Sequence, residues 1–273
     1  MTSKFDRSYP SRMRHQQLTR WPYLKDLERW SKYCWIPVDI PRFDYPDIVE
    51  WVYSNTKPIV KVRPDISSPL YGNDARYIFD AVDVLAKDEH VRKAIQKQST
   101  FSINLHQEFS ELFPEMWERI MFELPITYVK RIMFWTSVSE VPFHRDETDF
   151  IDCPNSFRIM LHDTNPKPTL RLIENPISAR PLPPLHVIDF VNDPNNKTFA
   201  VPPIKTTNTT LWNNFRVMHG SVFEPTYKKI IVIVEPGIEN IDIPRFHKMM
   251  ERSVAKYEQY AMISTRPRSD YIA

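Results

Sequence analysis

The chain has 273 residues, of which 42% are hydrophobic and 26% are charged, and its formal net charge is +2 at pH 7. These values are ordinary for a globular protein, and so small a net charge does not by itself indicate binding to nucleic acid or to an anionic membrane. No run of about 18 apolar residues occurs, so we predict no membrane span. The chain has three glycines, too few for the phosphate-cradling loops of Rossmann, P-loop or kinase folds.

Two features favour a cytoplasmic location. The only cysteines are Cys34 and Cys153, far apart in the chain and without a CxxC motif, so neither a disulfide framework nor a thiolate zinc site is favoured. Residues 1–20 are basic and polar and lack the apolar core of a secretory signal. We predict that they form a flexible arm in a protein of a reducing compartment.

The next segment, residues 21–124, is predicted to be a mainly helical buttress. Apolar residues recur at helical spacing over 74–97 and again over 105–124, where Pro114 interrupts the pattern. We expect the aromatic residues of these stripes to pack in the core rather than to bind a cofactor. A separate N-terminal subdomain of about 100 residues is the alternative to a single domain.

The character of the sequence changes at Pro125, after which segments become short and rich in β-branched and aromatic residues. This pattern predicts strands near 127–138, 156–162, 169–173, 185–191, 209–212 and 228–235. Many short strands with turn signals between them favour a double-sheet jelly roll or barrel. The predicted fold class is therefore α+β, with a jelly-roll core over 125–240 and, in the closing segment 241–273, a C-terminal helix at 244–262.

A possible metal site is formed by residues that follow these strands. His144 and Asp146 lie two positions apart after a strand-like run, and His219 follows in the segment LWNNFRVMHGSVF. In an extended chain, residues i and i+2 point to the same side, so one imidazole and one carboxylate can reach the same cation. Two histidines and one carboxylate can occupy one face of an octahedral iron(II) ion and leave three positions open.

A pair of lysines marks a possible anion site. Lys228 and Lys229 stand nine and ten residues after His219, at the start of the apolar strand IIVIV. A buried cation at this point suits the far carboxylate of a dicarboxylate that chelates the metal with its other end. Strand alternation allows at most one of the two lysines to face inward. The other interpretation is an ordinary solvated start of a strand.

Taken together, these segments resemble the iron(II)- and 2-oxoglutarate-dependent oxygenases. The matching pieces are FHRD, NNFRVMHGS and KKIIVIVE, within about residues 130–237. The chain is most similar to the aspartyl/asparaginyl β-hydroxylase branch, in which an arginine on the strand after the HxD motif helps to hold 2-oxoglutarate. FRIMLH places Arg158 in that position. The family's usual anchor after the distal histidine is arginine, where this chain has lysine.

The resemblance implies a double-stranded β-helix of the cupin type that hydroxylates a C–H bond with O₂ and releases succinate and CO₂. It implies Fe(II) as the metal and 2-oxoglutarate as the cosubstrate, with an amino-acid side chain, free or within a peptide, as the substrate. The implied metal ligands are His144, Asp146 and His219, and the implied cosubstrate contacts are Lys228, Lys229 and Arg158. The alternatives are a nucleobase-oxidising member of the superfamily, a metal-dependent cupin without 2-oxoglutarate, and a catalytically silent jelly-roll protein.

Several other polar and aromatic side chains lie near these motifs in the sequence. Trp135 and Trp212 are candidates for the pocket wall, and Asn213 and Asn214 for positioning ligands, although packing or turn formation is the more ordinary role of all four. Possible contacts to a substrate carboxylate are Arg216, His162 and Arg171.

Overall fold

The computed structural model describes residues 24–55, 106–135, 141–144, 152–164, 170–174, 198–221 and 229–265. The predicted arm, the predicted helix at 74–97 and the predicted strand at 185–191 lie outside these residues. Within them, helices flank two antiparallel sheets, which confirms the α+β class. None of the helices in these segments has both the length and the apolar character needed to cross a membrane.

Helices form the layer that covers one sheet. The α-helices of the described residues are α1 (Leu24–Leu27), α2 (Pro46–Asn55), α3 (His106–Leu112), α4 (Pro114–Glu123) and α5 (Ile243–Tyr257), with short 3-10 turns at Glu28–Trp30, Ile238–Asn240 and Glu258–Tyr260. The predicted interruption at Pro114 separates α3 from α4, because proline fits the first turn of a helix, where its missing N–H leaves no bond unmade. Asp242 caps α5 by accepting a hydrogen bond from the Arg245 backbone N–H at 3.2 Å.

In chain order the strands of the described residues are β1 (Tyr33–Pro37), β2 (Arg131–Trp135), β3 (Val141–His144), β4 (Ser156–Asp163), β5 (Leu170–Glu174), β6 (Phe199–Ala200), β7 (Thr209–Trp212), β8 (Val217–Ser221), β9 (Lys229–Glu235) and β10 (Met262–Ile263). They form a six-stranded sheet in the order β10-β1-β7-β4-β9-β2 and a four-stranded sheet in the order β3-β8-β5-β6. The five predicted strands that fall within the described residues correspond to β2, β4, β5, β7 and β9. Strands β1, β3, β6, β8 and β10 were not predicted.

The two faces of the six-stranded sheet are buried against different partners. One face joins the apolar core shared with the helices, through Phe157, Ile159, Leu211, Ile230, Val232 and Val234. Alternation along the strands turns Arg158, Trp212 and Lys229 to the other face. There Trp212 belongs to a second apolar cluster that includes Leu172 and Val217 of the four-stranded sheet. We call this region the inter-sheet space.

A histidine of the C-terminal helix α5 contacts the 3-10 turn Glu28–Trp30. The indole Nε1 of Trp30 donates a hydrogen bond to Nδ1 of His247 at 2.8 Å. Burial lowers the pKa of His247 below its ordinary value, and Arg29 lowers it further, while Asp26 and Glu251 raise it. The contact requires a neutral imidazole, because a protonated Nδ1 cannot accept a hydrogen bond.

We predict that this contact makes stability depend on pH. Because the folded-state pKa of His247 lies below its ordinary value of 6.5, the unfolded chain takes up the proton first as pH falls. The stabilisation is therefore complete above about pH 6.5 and is lost as pH falls below it. His247→Gln keeps an acceptor but does not titrate, so its thermal unfolding midpoint should change less than that of the wild type between about pH 8 and about pH 5. Equal changes in the two proteins would refute the prediction.

Candidate functional site

The fold brings one predicted metal ligand, His219, into the inter-sheet space. His219 is buried, with 6% of its surface exposed. Its ring meets that of Trp212 at an interplanar angle of 87°, with the ring centroids 5.2 Å apart. Val217, two positions earlier on the same strand, packs in the inter-sheet cluster, and residues i and i+2 of a strand share a face. A buried imidazole therefore borders the space between the sheets.

The backbone brings a second predicted ligand, His144, next to the first. Strand β3 pairs with β8, and His144 is opposite His219 in the antiparallel register. Directly opposed residues in such a pair have Cα atoms about 4.5–5.5 Å apart. The His144 side chain and all of Asp146 lie outside the described residues. Among the side chains that are described, no three His, Cys, Asp or Glu residues form a metal-binding group. The described side chains do not include those of His144 and Asp146.

Arg158 contributes a buried positive charge on the same side of the six-stranded sheet. The residue is 7% exposed, and its guanidinium carbon lies 3.8 Å from the centroid of the Trp212 ring. This distance is well within cation–π range. One indole therefore contacts both the arginine that the family resemblance assigns to the cosubstrate and the histidine that it assigns to the metal.

Lys229 contributes a second buried positive charge. Only 2% of the residue is exposed, and burial lowers the pKa of its ammonium group from 10.5 to about 8. The Asp163 carboxylate opposes this shift, whereas the Arg158 guanidinium lowers the pKa further. The two cations thus lie within electrostatic reach of each other on one face of the sheet. Lys228 lies outside the described residues.

The turn that connects β7 to β8 is held by a buried ion pair that the sequence did not suggest. Arg216 donates from Nε to one carboxylate oxygen of Asp152 at 2.6 Å and from Nη2 to the other at 2.8 Å. Both side chains are almost fully buried. Asn213 donates to the same carboxylate at 3.1 Å and accepts hydrogen bonds from the backbone N–H groups of the turn. Asn213 therefore has the turn-forming role.

This ion pair corrects one prediction about Arg216. We expected its guanidinium to be a possible contact for a substrate carboxylate, but it binds a carboxylate of the protein itself. Arg171 is also turned away from the inter-sheet space, because it alternates along β5 with Leu172, which packs in the inter-sheet cluster. His162 is half-buried at a bulge opposite Ile230. The Trp135 side chain lies outside the described residues.

Comparisons with known proteins add little to this geometry. No protein-family model matches the chain, and no curated protein matches it. Among solved structures, the chain is similar to the crystal structure of EvdMO1, with 15% sequence identity and a TM-score of 0.40. The similarity covers 79% of this chain and 50% of that chain, so this chain spans about half the length of that structure.

Proposed function

We propose that the chain is an iron(II)- and 2-oxoglutarate-dependent dioxygenase with its active site between the two sheets. One observation carries the proposal: the buried imidazole of His219 shares the inter-sheet space with the buried cations Lys229 and Arg158. Imidazole is a common ligand of iron(II), and buried cations are stabilised by an anionic partner. A metal ion chelated by a dicarboxylate uses both features at once.

The order of the strands supports a jelly-roll core for such an enzyme. Strand β5 pairs with β6, β4 with β7, β3 with β8 and β2 with β9, so these eight strands follow the path of one long antiparallel hairpin. The additional pairs β4–β9 and β5–β8 roll that hairpin into two facing sheets. Double-sheet jelly rolls are built from eight strands in this way. We therefore propose a double-stranded β-helix of the cupin type, extended at one edge by β1 and β10.

In this proposal His144, Asp146 and His219 hold the iron. The burial of His219 and its register opposite His144 fit a metal ligand set. Bound iron(II) would supply the O₂ chemistry that couples decarboxylation of 2-oxoglutarate to hydroxylation of a C–H bond. The chain itself would contribute the ligands and a setting shielded from water, because His219, Arg158 and Lys229 are all buried.

Lys229 is proposed to bind the far carboxylate of 2-oxoglutarate, with Arg158 as a second positive contact. Burial makes each cation a strong partner for an anion, because the interaction takes place away from water. The pKa of Lys229, about 8 without ligand, means that the ammonium form predominates at neutral pH. The resemblance supplies the substrate class, an amino-acid side chain that is free or within a peptide.

Lys229→Met is expected to weaken 2-oxoglutarate binding by about 2 kcal/mol or more, which is about 30-fold. The apolar side chain fills the same space without a desolvated charge, so the free energy of unfolding should stay equal or rise. Equilibrium binding in the presence of Mn(II) measures the first effect, and chemical denaturation measures the second. Lys130, which is exposed beside β2, provides the control substitution Lys130→Met. Equal affinities in the two variants would remove Lys229 from the proposed site.

The pH dependence of binding tests the same assignment without a mutation. A bound carboxylate favours the charged lysine, so binding is accompanied by proton uptake once the pH approaches the ligand-free pKa of about 8. The affinity of the wild type for 2-oxoglutarate should therefore fall as pH rises above about 8, approaching tenfold per pH unit. This decrease should be absent from Lys229→Met.

The proposed activity is tested by anaerobic loading with iron(II), removal of unbound metal, and addition of 2-oxoglutarate and O₂. We expect bound iron and 2-oxoglutarate-dependent release of succinate, stimulated by some members of a panel of free amino acids and peptides. A chain that retains no iron and releases no succinate would contradict the proposal. Binding of 2-oxoglutarate that is lost in Lys229→Met, without iron or turnover, would instead identify an anion-binding protein.

A further inference from the structure

We propose that Trp212 is a positioning residue that sets the plane of the His219 imidazole, and that Arg158 and Thr210 hold Trp212 in that orientation. Arg158 would then support metal binding as well as cosubstrate binding. This inference rests on the proposed function, because it concerns the same metal site. It also adds a consequence that the proposed function does not contain, namely that metal affinity depends on Arg158 when no cosubstrate is present.

Trp212 links residues that come from both sheets. It lies at the end of β7 and is 2% exposed. Arg158 of the neighbouring strand β4 lies over its ring at 3.8 Å, and His219 of the four-stranded sheet meets the ring at 87° with the centroids 5.2 Å apart. An edge-to-face arrangement at this distance is among the favoured geometries of aromatic pairs. The indole of Trp212 therefore contacts both Arg158 and His219.

A hydrogen bond fixes the rotation of the indole. Its Nε1 donates to the Thr210 hydroxyl at 2.8 Å, and that hydroxyl in turn donates to the backbone carbonyl of Arg158 at 3.4 Å. Rotating the ring would leave the indole N–H buried without its acceptor, which is unfavourable. The hydrogen bonds described for the Thr210 hydroxyl are to Trp212 and to the Arg158 backbone, so we expect it to act on the imidazole through Trp212.

Metal affinity depends on how well the imidazole is held in place, because an imidazole that samples several orientations must be ordered when the metal binds. Groups that orient metal ligands typically contribute 10–100-fold to metal affinity, as a rough guide. Thr210→Val keeps the size and shape of the side chain and removes the hydroxyl, which accepts from the indole N–H and donates to the Arg158 carbonyl. Arg158→Met keeps an apolar stem over the ring and removes the cation. We expect Thr210→Val, which changes no charge, to weaken metal binding by about tenfold. Arg158→Met also removes a positive charge that repels a metal ion, so weaker metal binding in this variant would have to come from the lost support of Trp212.

The test uses Mn(II) binding without 2-oxoglutarate, measured by the loss of the free Mn(II) signal in electron paramagnetic resonance. The visible spectrum of bound Co(II) serves as a second measurement, because it reports ligand geometry. Trp35→Phe is the control for packing: Trp35 is fully buried in the same cluster and is paired with Trp212 in the backbone register, but its described ring contact is to Phe199. Thermal unfolding verifies that each variant is folded.

The inference predicts weaker Mn(II) binding and a changed Co(II) spectrum in Thr210→Val and Arg158→Met, with both unchanged in Trp35→Phe. A partial return of affinity in Arg158→Lys, which restores a cation over the ring, would support it further. Wild-type Mn(II) affinity in both Thr210→Val and Arg158→Met would overturn the inference and leave the proposed function standing. A wild-type chain that binds no Mn(II) would instead overturn the proposed function, and this inference with it.

Discussion

Replacing His219 with alanine is expected to abolish 2-oxoglutarate turnover and to weaken metal binding by well over about 100-fold. Groups that only orient a ligand contribute up to about this much, and His219 is proposed to bind the metal itself. The imidazole is buried between the sheets and contacts Trp212, so the alanine variant also loses packing. Metal content after anaerobic loading, determined beside succinate release, measures the effect.

His162→Ala is the matched control for this substitution. His162 is a half-buried histidine on β4, at the bulge opposite Ile230, and it is outside the proposed ligand set. We expect His162→Ala to retain its metal, which is the quantity compared between the two variants. If His219→Ala also retained stoichiometric metal and wild-type succinate release, the metal site would have to be somewhere else in the chain.

Replacing Asp152 with asparagine is expected to lower the free energy of unfolding by about 3–5 kcal/mol. The substitution leaves the Arg216 guanidinium buried, with side-chain exposure of 2%, and without the carboxylate that neutralises it. The Asp152 carboxylate also accepts from Asn213, and an amide has only one acceptor oxygen for these donors and turns an N–H group toward the guanidinium, so the hydrogen bonds of the turn between β7 and β8 are weakened. This turn connects Trp212 to the strand that carries His219, and metal affinity should therefore decrease together with stability.

Two comparisons separate this effect from the general cost of removing an ion pair. Glu251 forms an ion pair with Arg29 in which both side chains are more than half exposed, and Glu251→Gln should cost about 0–1 kcal/mol. The double substitution of Asp152→Leu with Arg216→Met removes both charges and should recover part of the stability lost in Asp152→Asn. Chemical denaturation of all three proteins provides the comparison. A loss in Asp152→Asn no larger than that in Glu251→Gln would refute the proposed role of the pair.

Local sequence patterns were sufficient to predict the strands that carry long apolar or alternating runs. The segments of β4, β7 and β9 are rich in β-branched and aromatic residues, and their bounds in the structure are within a residue or two of the predicted ones. Strand β1 (YCWIP) is buried at every position, so it lacks the alternation that identifies a strand with one solvated face. Strands β6 and β10 have two residues each, which is too short for any periodic signal.

The candidate site was predictable only where its residues fall into a spaced motif. The spacing of the HxD motif and the distal histidine singled out His144 and His219, and the sheet register places them opposite each other. Strand alternation allowed only one inward lysine, and Lys229 is buried, while Lys228 lies outside the described residues. The ion pair of Asp152 and Arg216 joins residues 64 positions apart, and no local pattern in a single sequence indicates such a contact. The contact of Trp212 with two strands depends on tertiary packing in the same way.

We propose that a metal ion chelated by 2-oxoglutarate binds in the space between the sheets. The decisive experiment is a crystal structure of the chain with Mn(II) and 2-oxoglutarate, with anomalous scattering used to locate the metal. We expect one Mn(II) ion bound by His144, Asp146 and His219, with the far carboxylate of 2-oxoglutarate within hydrogen-bonding distance of Lys229. Metal bound without His219, or 2-oxoglutarate bound away from Lys229, would refute the proposed site.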